Sequence, residues 1–169
     1  FSKDAEGTVI NNSQLTSTGS KNYGLYSAGT VINNVNINYS SGVGNVGIYS
    51  IGGGNATNGT PTIRPTIRVS KSDIEKKIYG IGMAAGYTDS KDTSKNRVGH
   101  VINTGTINVG FDNSIGMYAS GAGSIAENHG TINITAKKAI GMYLENGATG
   151  INAATGNITI EASAQGAIA

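Results

Sequence analysis

The stretch GTINVGFDNSIGMYASGAGSIAENHGTINITAKKAIGMYLENGATG, residues 105–150, contains the same pattern twice. GTINV at Gly105–Val109 returns as GTINI at Gly130–Ile134, and IGMY at Ile115–Tyr118 returns at Ile140–Tyr143. Both motifs recur after 25 residues. A fixed period of this length is the signature of a repeat architecture, in which each copy forms one structural unit.

The repeat unit has three parts, which are a VIN-like, a TINI-like and an IGMY-like segment. The VIN-like segment occurs at 9–11, 31–33, 101–103 and, more loosely, 150–152; the TINI-like segment at 35–37, 66–69, 106–109, 131–134 and 157–160; and the IGMY-like segment at 24–26, 47–49, 81–84, 115–118 and 140–143. The chain therefore holds about six units, of which the first and last are incomplete.

Side chains alternate within each segment, as they do in a strand. In TINV, Ile107 and Val109 share one face while Thr106 and Asn108 share the other. Alternation among Thr, Val and Ile indicates strand, and no segment has the 3.6-residue apolar stripe of a helix. Asn and Gly at the corners between strands tolerate left-handed backbone.

The length of the unit selects the architecture. About 25 residues are too few for a propeller blade, which needs about 40–50, and three leucines in the chain do not support leucine-rich repeats. We predict an all-β fold, a right-handed parallel β-helix, built as a solenoid of about six turns with three short strands per turn. Equivalent strands of successive turns pair in parallel, and inward Val, Ile and Met form a continuous core.

Composition excludes several classes of function. Only 13% of residues are charged and the net charge is +2, so the whole chain is not a basic nucleic-acid binder. No run of 18 apolar residues is present to enter a membrane. Cysteine is absent, which excludes disulfides and thiolate zinc sites. The chain begins at Phe1 without a start methionine and ends in mid-pattern, so we interpret residues 1–169 as a single β-helix segment of a longer protein.

The combination GTINV…SIGMYASGAGS…GTINI…AIGMYLENGATG resembles the passenger-domain repeats of large type V autotransporter adhesins, especially the fusobacterial outer-membrane family. The resemblance covers essentially the whole chain. It implies an extracellular β-helical segment at the cell surface, displayed by a separate C-terminal outer-membrane β-barrel. It also implies cell adhesion or coaggregation as the role, with a glycan or protein receptor on a host cell or another bacterium as the partner.

Three segments interrupt the repeat, and interruptions of a regular rod are where binding loops are inserted. We predict loop insertions at 50–61, 70–78 and 86–99, with the first and last side by side at the same corner of successive turns. Between Arg64 and Arg97 lie eight of the twelve basic residues against four acidic ones. The candidate residues for binding an anionic glycan or a partner protein are Lys91, Lys95 and Arg97. Alternatively, these charges only keep the loops solvated.

Four tyrosines occupy equivalent positions of the IGMY-like segment, which makes them further candidate ligand-binding residues. They are Tyr26, Tyr49, Tyr118 and Tyr143, and Ala84 takes the fifth position. Strand alternation predicts that the column points outward together with the glycine two residues before each tyrosine, leaving a shallow groove beside the rings. Such a ladder stacks on sugars, or its rings serve only to stabilise one another.

Catalytic, cofactor and metal motifs are not found. GVGNVG at 42–47 matches a dinucleotide fingerprint but leads into a strand, so we predict no cofactor there. His100 and His129 fall in different columns of the repeat, with no carboxylate cluster beside them, and we predict no zinc site. Asp89 and Asp92 in a basic loop form a poor catalytic pair. We predict that the protein is not an enzyme.

The leading hypothesis is thus a β-helical adhesin segment that projects binding loops from the cell surface. The alternatives are a pure structural stalk whose parent chain binds elsewhere, and a carbohydrate-active lyase or hydrolase. Because an excised solenoid leaves strand edges unpaired at both ends, we also expect those ends to self-associate.

Overall fold

The computed structural model describes all residues from 1 to 169 and contains seventeen β-strands, numbered β1 to β17 in chain order, and one short 3-10 helix at Thr93–Lys95. Sheet 1 consists of β1 (Thr8–Asn11), β4 (Thr30–Asn33), β7 (Asn55–Asn58), β10 (His100–Asn103), β13 (Ile125–Asn128) and β16 (Thr149–Asn152). Sheet 2 consists of β2 (Leu15–Thr16), β5 (Ile37–Asn38), β8 (Thr66–Arg68), β11 (Thr106–Val109), β14 (Thr131–Ile134) and β17 (Asn157–Ile160). Sheet 3 consists of β3 (Tyr23–Ser27), β6 (Val46–Ser50), β9 (Ile81–Ala85), β12 (Ile115–Ser120) and β15 (Ile140–Glu145).

Each strand pairs in parallel with the strand three places earlier in the chain, so the chain passes through the three sheets in turn. The register follows the repeat: Ile107 in β11 lies opposite Ile132 in β14, and Met117 in β12 lies opposite Met142 in β15. Five turns are complete, and in the sixth only a bridge between Ile140 and Ile168 extends sheet 3. The predicted parallel β-helix of about six turns is confirmed, and its right-handed sense stays a prediction. None of the helical residues forms a segment long and apolar enough to cross a bilayer.

The core is a set of columns in which like residues stack from turn to turn. In sheet 2, Ile37, Ile67, Ile107 and Ile132 are successive partners and all are fully buried. Sheet 3 contributes Met83 and Met117 in the same manner. Identical neighbours fit because each turn presents the same backbone, and burying one such side chain contributes about 1.5–3 kcal/mol.

A ladder of asparagines runs beside the apolar core. One asparagine ends each strand of sheet 1: Asn11, Asn33, Asn58, Asn103, Asn128 and Asn152. The Nδ2 of each donates to the Oδ1 of the next at 2.8–2.9 Å, and the middle four side chains are fully buried. None of the six has a positive φ. These corner asparagines are therefore selected by hydrogen bonding and not by left-handed backbone.

The structure corrects one predicted insertion and places the other two. Residues 50–61 are not one loop, because strand β7 (Asn55–Asn58) lies inside that range and pairs with β4 and β10. The extra residues of this turn follow β7, between sheets 1 and 2, and so they do not lie at the corner of the 86–99 insertion. The 86–99 insertion connects β9 to β10, and the 70–78 insertion lies between β8 and β9. Strand β7 was not predicted because NATN lacks the VIN motif that marks β1, β4 and β10.

Candidate ligand-binding face

The four predicted tyrosines form a column on sheet 3. Tyr26 is the register partner of Tyr49, and Tyr118 is the partner of Tyr143, with ring centroids 5.4 Å and 6.1 Å apart. Ala84 lies opposite both Tyr49 and Tyr118 and divides the column into two pairs. The predicted column and its interruption are both found in the structure.

The groove beside the rings has a different wall from the predicted one. A Cβ added to Gly47 or Gly116 would lie about 3 Å from the Cγ2 of a buried core isoleucine, Ile67 or Ile132 respectively, so these glycines face the interior. The residue before each glycine lines the outer surface instead. These outward residues are Val46, Ile81, Ile115 and Ile140. The strand therefore departs from strict alternation at glycine, because only glycine leaves room for the core isoleucine.

Two of the most exposed rings on this face are ones that the sequence analysis did not select. Tyr23, at the start of β3, is 53% exposed, and its ring stacks on Tyr49 with centroids 5.7 Å apart and planes 19° apart. Tyr87, from the loop between β9 and β10, is 45% exposed. The register of Tyr23 with Val46 places its ring on the outer surface. No sequence signal marked Tyr87, because only the fold of the insertion brings it to sheet 3.

The insertion between β9 and β10 is a small hairpin held against the tyrosine column. Tyr87 and Arg97 exchange two backbone hydrogen bonds at 2.8 and 2.9 Å, which closes the hairpin. The Tyr49 hydroxyl donates to the Gly86 carbonyl at 3.0 Å and attaches the hairpin's base to sheet 3. Burial, followed by the neighbouring phenols, raises the pKa of Tyr49 well above its ordinary value, so the hydroxyl remains a donor.

The hairpin and the first tyrosine pair enclose a basic pocket, defined here by Lys21, Tyr23, Tyr26, Tyr49, Tyr87, Lys95 and Arg97, with a volume of about 960 Å³. No carboxylate lines it. Lys95 is paired with Asp92 at 3.3 Å, whereas Lys21 and Arg97 form no ion pair. Arg97 and Tyr26 line this same pocket. Burial, followed by the neighbouring Tyr23, raises the pKa of Tyr26, and the positive charge of Arg97 opposes that rise. Four predicted candidates meet in this pocket, and Lys91 lies outside it.

A second depression, the apolar groove, continues along sheet 3 beside the other tyrosine pair and has a volume of about 1020 Å³. Its floor is the outward isoleucine column, and Ile78 and Tyr79 from the insertion before β9 form part of its wall. The Tyr118 hydroxyl donates to Glu145 Oε1 at 2.6 Å, and burial together with this carboxylate raises the pKa of Tyr118 to about 12. Lys21, Tyr23 and Tyr87 line both depressions, so the two form one continuous face.

The two histidines have a neighbour that the sequence analysis missed. Glu127 lies between them, with Oε1 2.9 Å from His100 Nε2 and Oε2 3.0 Å from His129 Nε2. His100 lies opposite Ile125 in β13, two residues before Glu127. The hydrogen bond with His129, followed by His100, holds the pKa of Glu127 below its ordinary value. No group of three or more His, Cys, Asp and Glu side chains is placed to hold a metal ion.

Comparison with known proteins identifies the family of this fold. The family model described as the BigA third pectate lyase-like domain matches residues 1–156. No curated protein matches the chain, and neither does any solved structure.

Proposed function

The chain belongs to the BigA third pectate lyase-like domain family, and from this premise we propose that it is an adhesive segment of a bacterial autotransporter-type surface protein. In this proposal the β-helix is extracellular and displays one binding face towards a receptor on a host cell or another bacterium. A parallel β-helix suits the role because its stacked turns hold inserted loops at fixed positions along a rod.

One observation carries the proposal: exposed aromatic rings and unpaired cations gather on a single face. The tyrosine column, Tyr23 and Tyr87 form a continuous surface with Lys21 and Arg97, and two inserted hairpins border it. Monomeric proteins seldom leave a large aromatic surface open without a ligand or partner for it. Aromatic residues and arginine are also the residue types that dominate recognition surfaces.

Binding, and not catalysis, is the proposed activity of this face. The two carboxylates of the 86–99 hairpin are used to fold that hairpin: Asp89 accepts from the backbone N–H of Lys91 at 2.8 Å, and Asp92 accepts from the Ser94 hydroxyl at 2.6 Å. These hydrogen bonds hold the pKa of each carboxyl below its ordinary value. A general acid requires the opposite shift, towards neutral pH.

A loop-replacement experiment tests the adhesive role. Residues 86–99 are replaced by Ser-Gly-Ala-Gly-Ser, residues 120–124, which connect the register partners of Ala85 and His100 at the same corner one turn later. In the control, residues 59–65 are replaced by Thr-Gly, which turns between β10 and β11. The control changes a corner that lines neither the basic pocket nor the apolar groove.

Binding of each protein to a glycan array, to epithelial cells and to partner bacteria is then compared. We expect the parent protein and the control to bind and the 86–99 replacement to lose at least most of that binding. No binding by any of the three would contradict the proposal and leave the segment as a stalk. Release of unsaturated or reducing ends from polygalacturonate would contradict it in favour of an enzyme.

A further inference from the structure

We propose that the ligand of this face is an acidic oligosaccharide, bound along the rod axis with its anionic groups at Lys21 and Arg97. The inference rests on the proposed function and specifies the ligand class for the same face. Sugar rings have apolar faces that stack on aromatic side chains, and their carboxylates or sulfates pair with cations. The basic pocket offers both features within one enclosure.

The basic pocket contains aromatic rings with accessible surface. Tyr23 and Tyr87 remain about half exposed, although both line the basic pocket. Tyr23 is stacked on Tyr49. The Tyr87 backbone is held by two hydrogen bonds to Arg97, and its hydroxyl donates to Asp89 Oδ2 at 3.4 Å. Rings that are rigid before binding lose little conformational entropy when a ligand stacks on them.

The basic pocket also contains unpaired positive charge. Lys21 and Arg97 line the basic pocket without an acidic partner, and the lining contains no carboxylate that would repel an anion. Two Arg97 hydrogen bonds, from Nη1 to the carbonyls of Ser94 at 3.0 Å and Asn96 at 2.8 Å, fix the guanidinium. An oriented planar guanidinium can bind two oxygens of a carboxylate or a sulfate at once, and so it favours these groups over a neutral hydroxyl.

The shape of the face favours an oligomer over a single sugar. The basic pocket and the apolar groove share three lining residues and extend from Tyr26 in β3 to Tyr143 in β15, across four strand steps. At about 4.8 Å per step this is a surface of about 19 Å parallel to the rod axis. The single carboxylate of the face, Glu145, lies at the far end, beside Tyr118. The anionic groups are therefore assigned to the Tyr23 end.

The test uses three hexasaccharide probes and isothermal titration calorimetry at two salt concentrations. The probes are hyaluronan, which carries carboxylates, chondroitin sulfate, which adds sulfates, and carboxyl-reduced hyaluronan, which is neutral. We expect one or both acidic probes to bind, more weakly at higher salt, and the neutral probe to bind at least about tenfold more weakly, since two exposed ion pairs are worth roughly that factor. The preferred acidic probe distinguishes carboxylate from sulfate recognition.

Two variants and a matched control locate the site. K21Q/R97Q is expected to weaken binding of the acidic probe about tenfold and to leave the neutral probe unchanged. K21Q/K91Q removes the same total charge, but Lys91 lies outside the pocket, so we expect only the loss due to Lys21. Y23A is expected to weaken the binding of all three saccharides, neutral and acidic. Thermal unfolding of each variant shows that it is folded.

Four results would overturn the inference, and a fifth would overturn the adhesive proposal as well. Equal affinity for neutral and acidic probes would show that the anionic groups are not recognised. Equal losses of affinity in the two charge variants would show that Arg97 does not bind them. In both cases the adhesive proposal survives. Equally tight binding of a hexaglutamate peptide would show that charge alone is read. If cells and the array bind the protein but none of the acidic probes does, the ligand class is wrong; if nothing binds, the adhesive proposal itself fails.

Discussion

The side-chain amide of Asn58 donates to Oδ1 of Asn103 at 2.9 Å, although 45 residues separate them. Elsewhere in the ladder the partners are 22 to 25 residues apart. The additional residues belong to the insertions between β7 and β10, which leave the turn outward and return without disturbing the ladder. The inserted hairpins can therefore vary in length while the core stays in register.

The ladder predicts the cost of removing one member. N103A leaves the buried Asn58 amide and the Asn128 carbonyl oxygen without their strongest partners, so we expect a loss of about 2–3 kcal/mol in the free energy of unfolding. N108A is the control, because Asn108 forms a half-buried hydrogen bond with Asn133 on the outer face of sheet 2. Its expected cost is at most about 1 kcal/mol. Urea denaturation measures both, and equal losses would show that burial of the ladder is unimportant.

The inward glycines of sheet 3 predict a second asymmetry. In G116A the new methyl group would lie 2.6 Å from the Gly141 carbonyl oxygen and 3.0 Å from Ile132 Cγ2, so we expect a loss of about 1–3 kcal/mol through overpacking. A Cβ at Gly53 meets nothing within 4 Å, and G53A should change stability by less than about 0.5 kcal/mol. Thermal unfolding compares the two. A neutral G116A would show that the glycine does not face the core.

The anchor of the 86–99 hairpin can be tested by removing one hydroxyl. Y49F loses the hydrogen bond to the Gly86 carbonyl, with an expected global cost below about 1.5 kcal/mol. The larger effect should be local: amide protons of the hairpin should exchange faster in hydrogen–deuterium exchange. Y26F is the control, because the Tyr26 hydroxyl makes no hydrogen bond within the protein. Unchanged hairpin protection in Y49F would mean that other contacts hold the hairpin.

The Glu127 carboxylate predicts a dependence of stability on pH. Its pKa is lowered from 4.5 in the folded state, so its contribution is present above that value and is lost as the pH falls through the lower, folded value. We expect E127Q to be up to about 1 kcal/mol less stable than the parent protein at pH 7, because the pairs are partly exposed. This difference should disappear well below pH 4.5. E75Q, which alters no ion pair, should show no such trend.

The ends of the rod predict concentration-dependent association. Core residues are fully buried in the middle turns, whereas Ile160 in the last strand of sheet 2 is 41% exposed beside an unpaired strand edge. We expect sedimentation velocity to show larger species as concentration rises. I160E should shift the equilibrium towards monomer, because a charge at a strand edge opposes pairing. A parent protein that stays monomeric over a wide concentration range would contradict this.

Particular residues show which features of the fold can be predicted from the sequence and which cannot. The TINI and IGMY repeats predicted the strands, the parallel stacking and the tyrosine column, because apolar periodicity and exact repetition are local properties of a chain. The strand β7 and the inward glycines were not predicted. NATN has the inward alanine and the terminal asparagine of a sheet 1 strand but no valine or isoleucine. The direction of Gly116 depends on its contact with an isoleucine in another sheet.

By itself, then, the sequence determined the scaffold: one turn for each repeat, three sheets, and a column for each repeated residue. Only the tertiary structure decided the candidate site. Tyr87 and Arg97 reach the first tyrosine pair because their hairpin folds back onto sheet 3, and Glu127 meets His100 because adjacent turns lie side by side. Contacts of this kind join residues from different turns or from an insertion that has no repeat, so their geometry is set by how the turns pack and is not written in any periodicity of the chain.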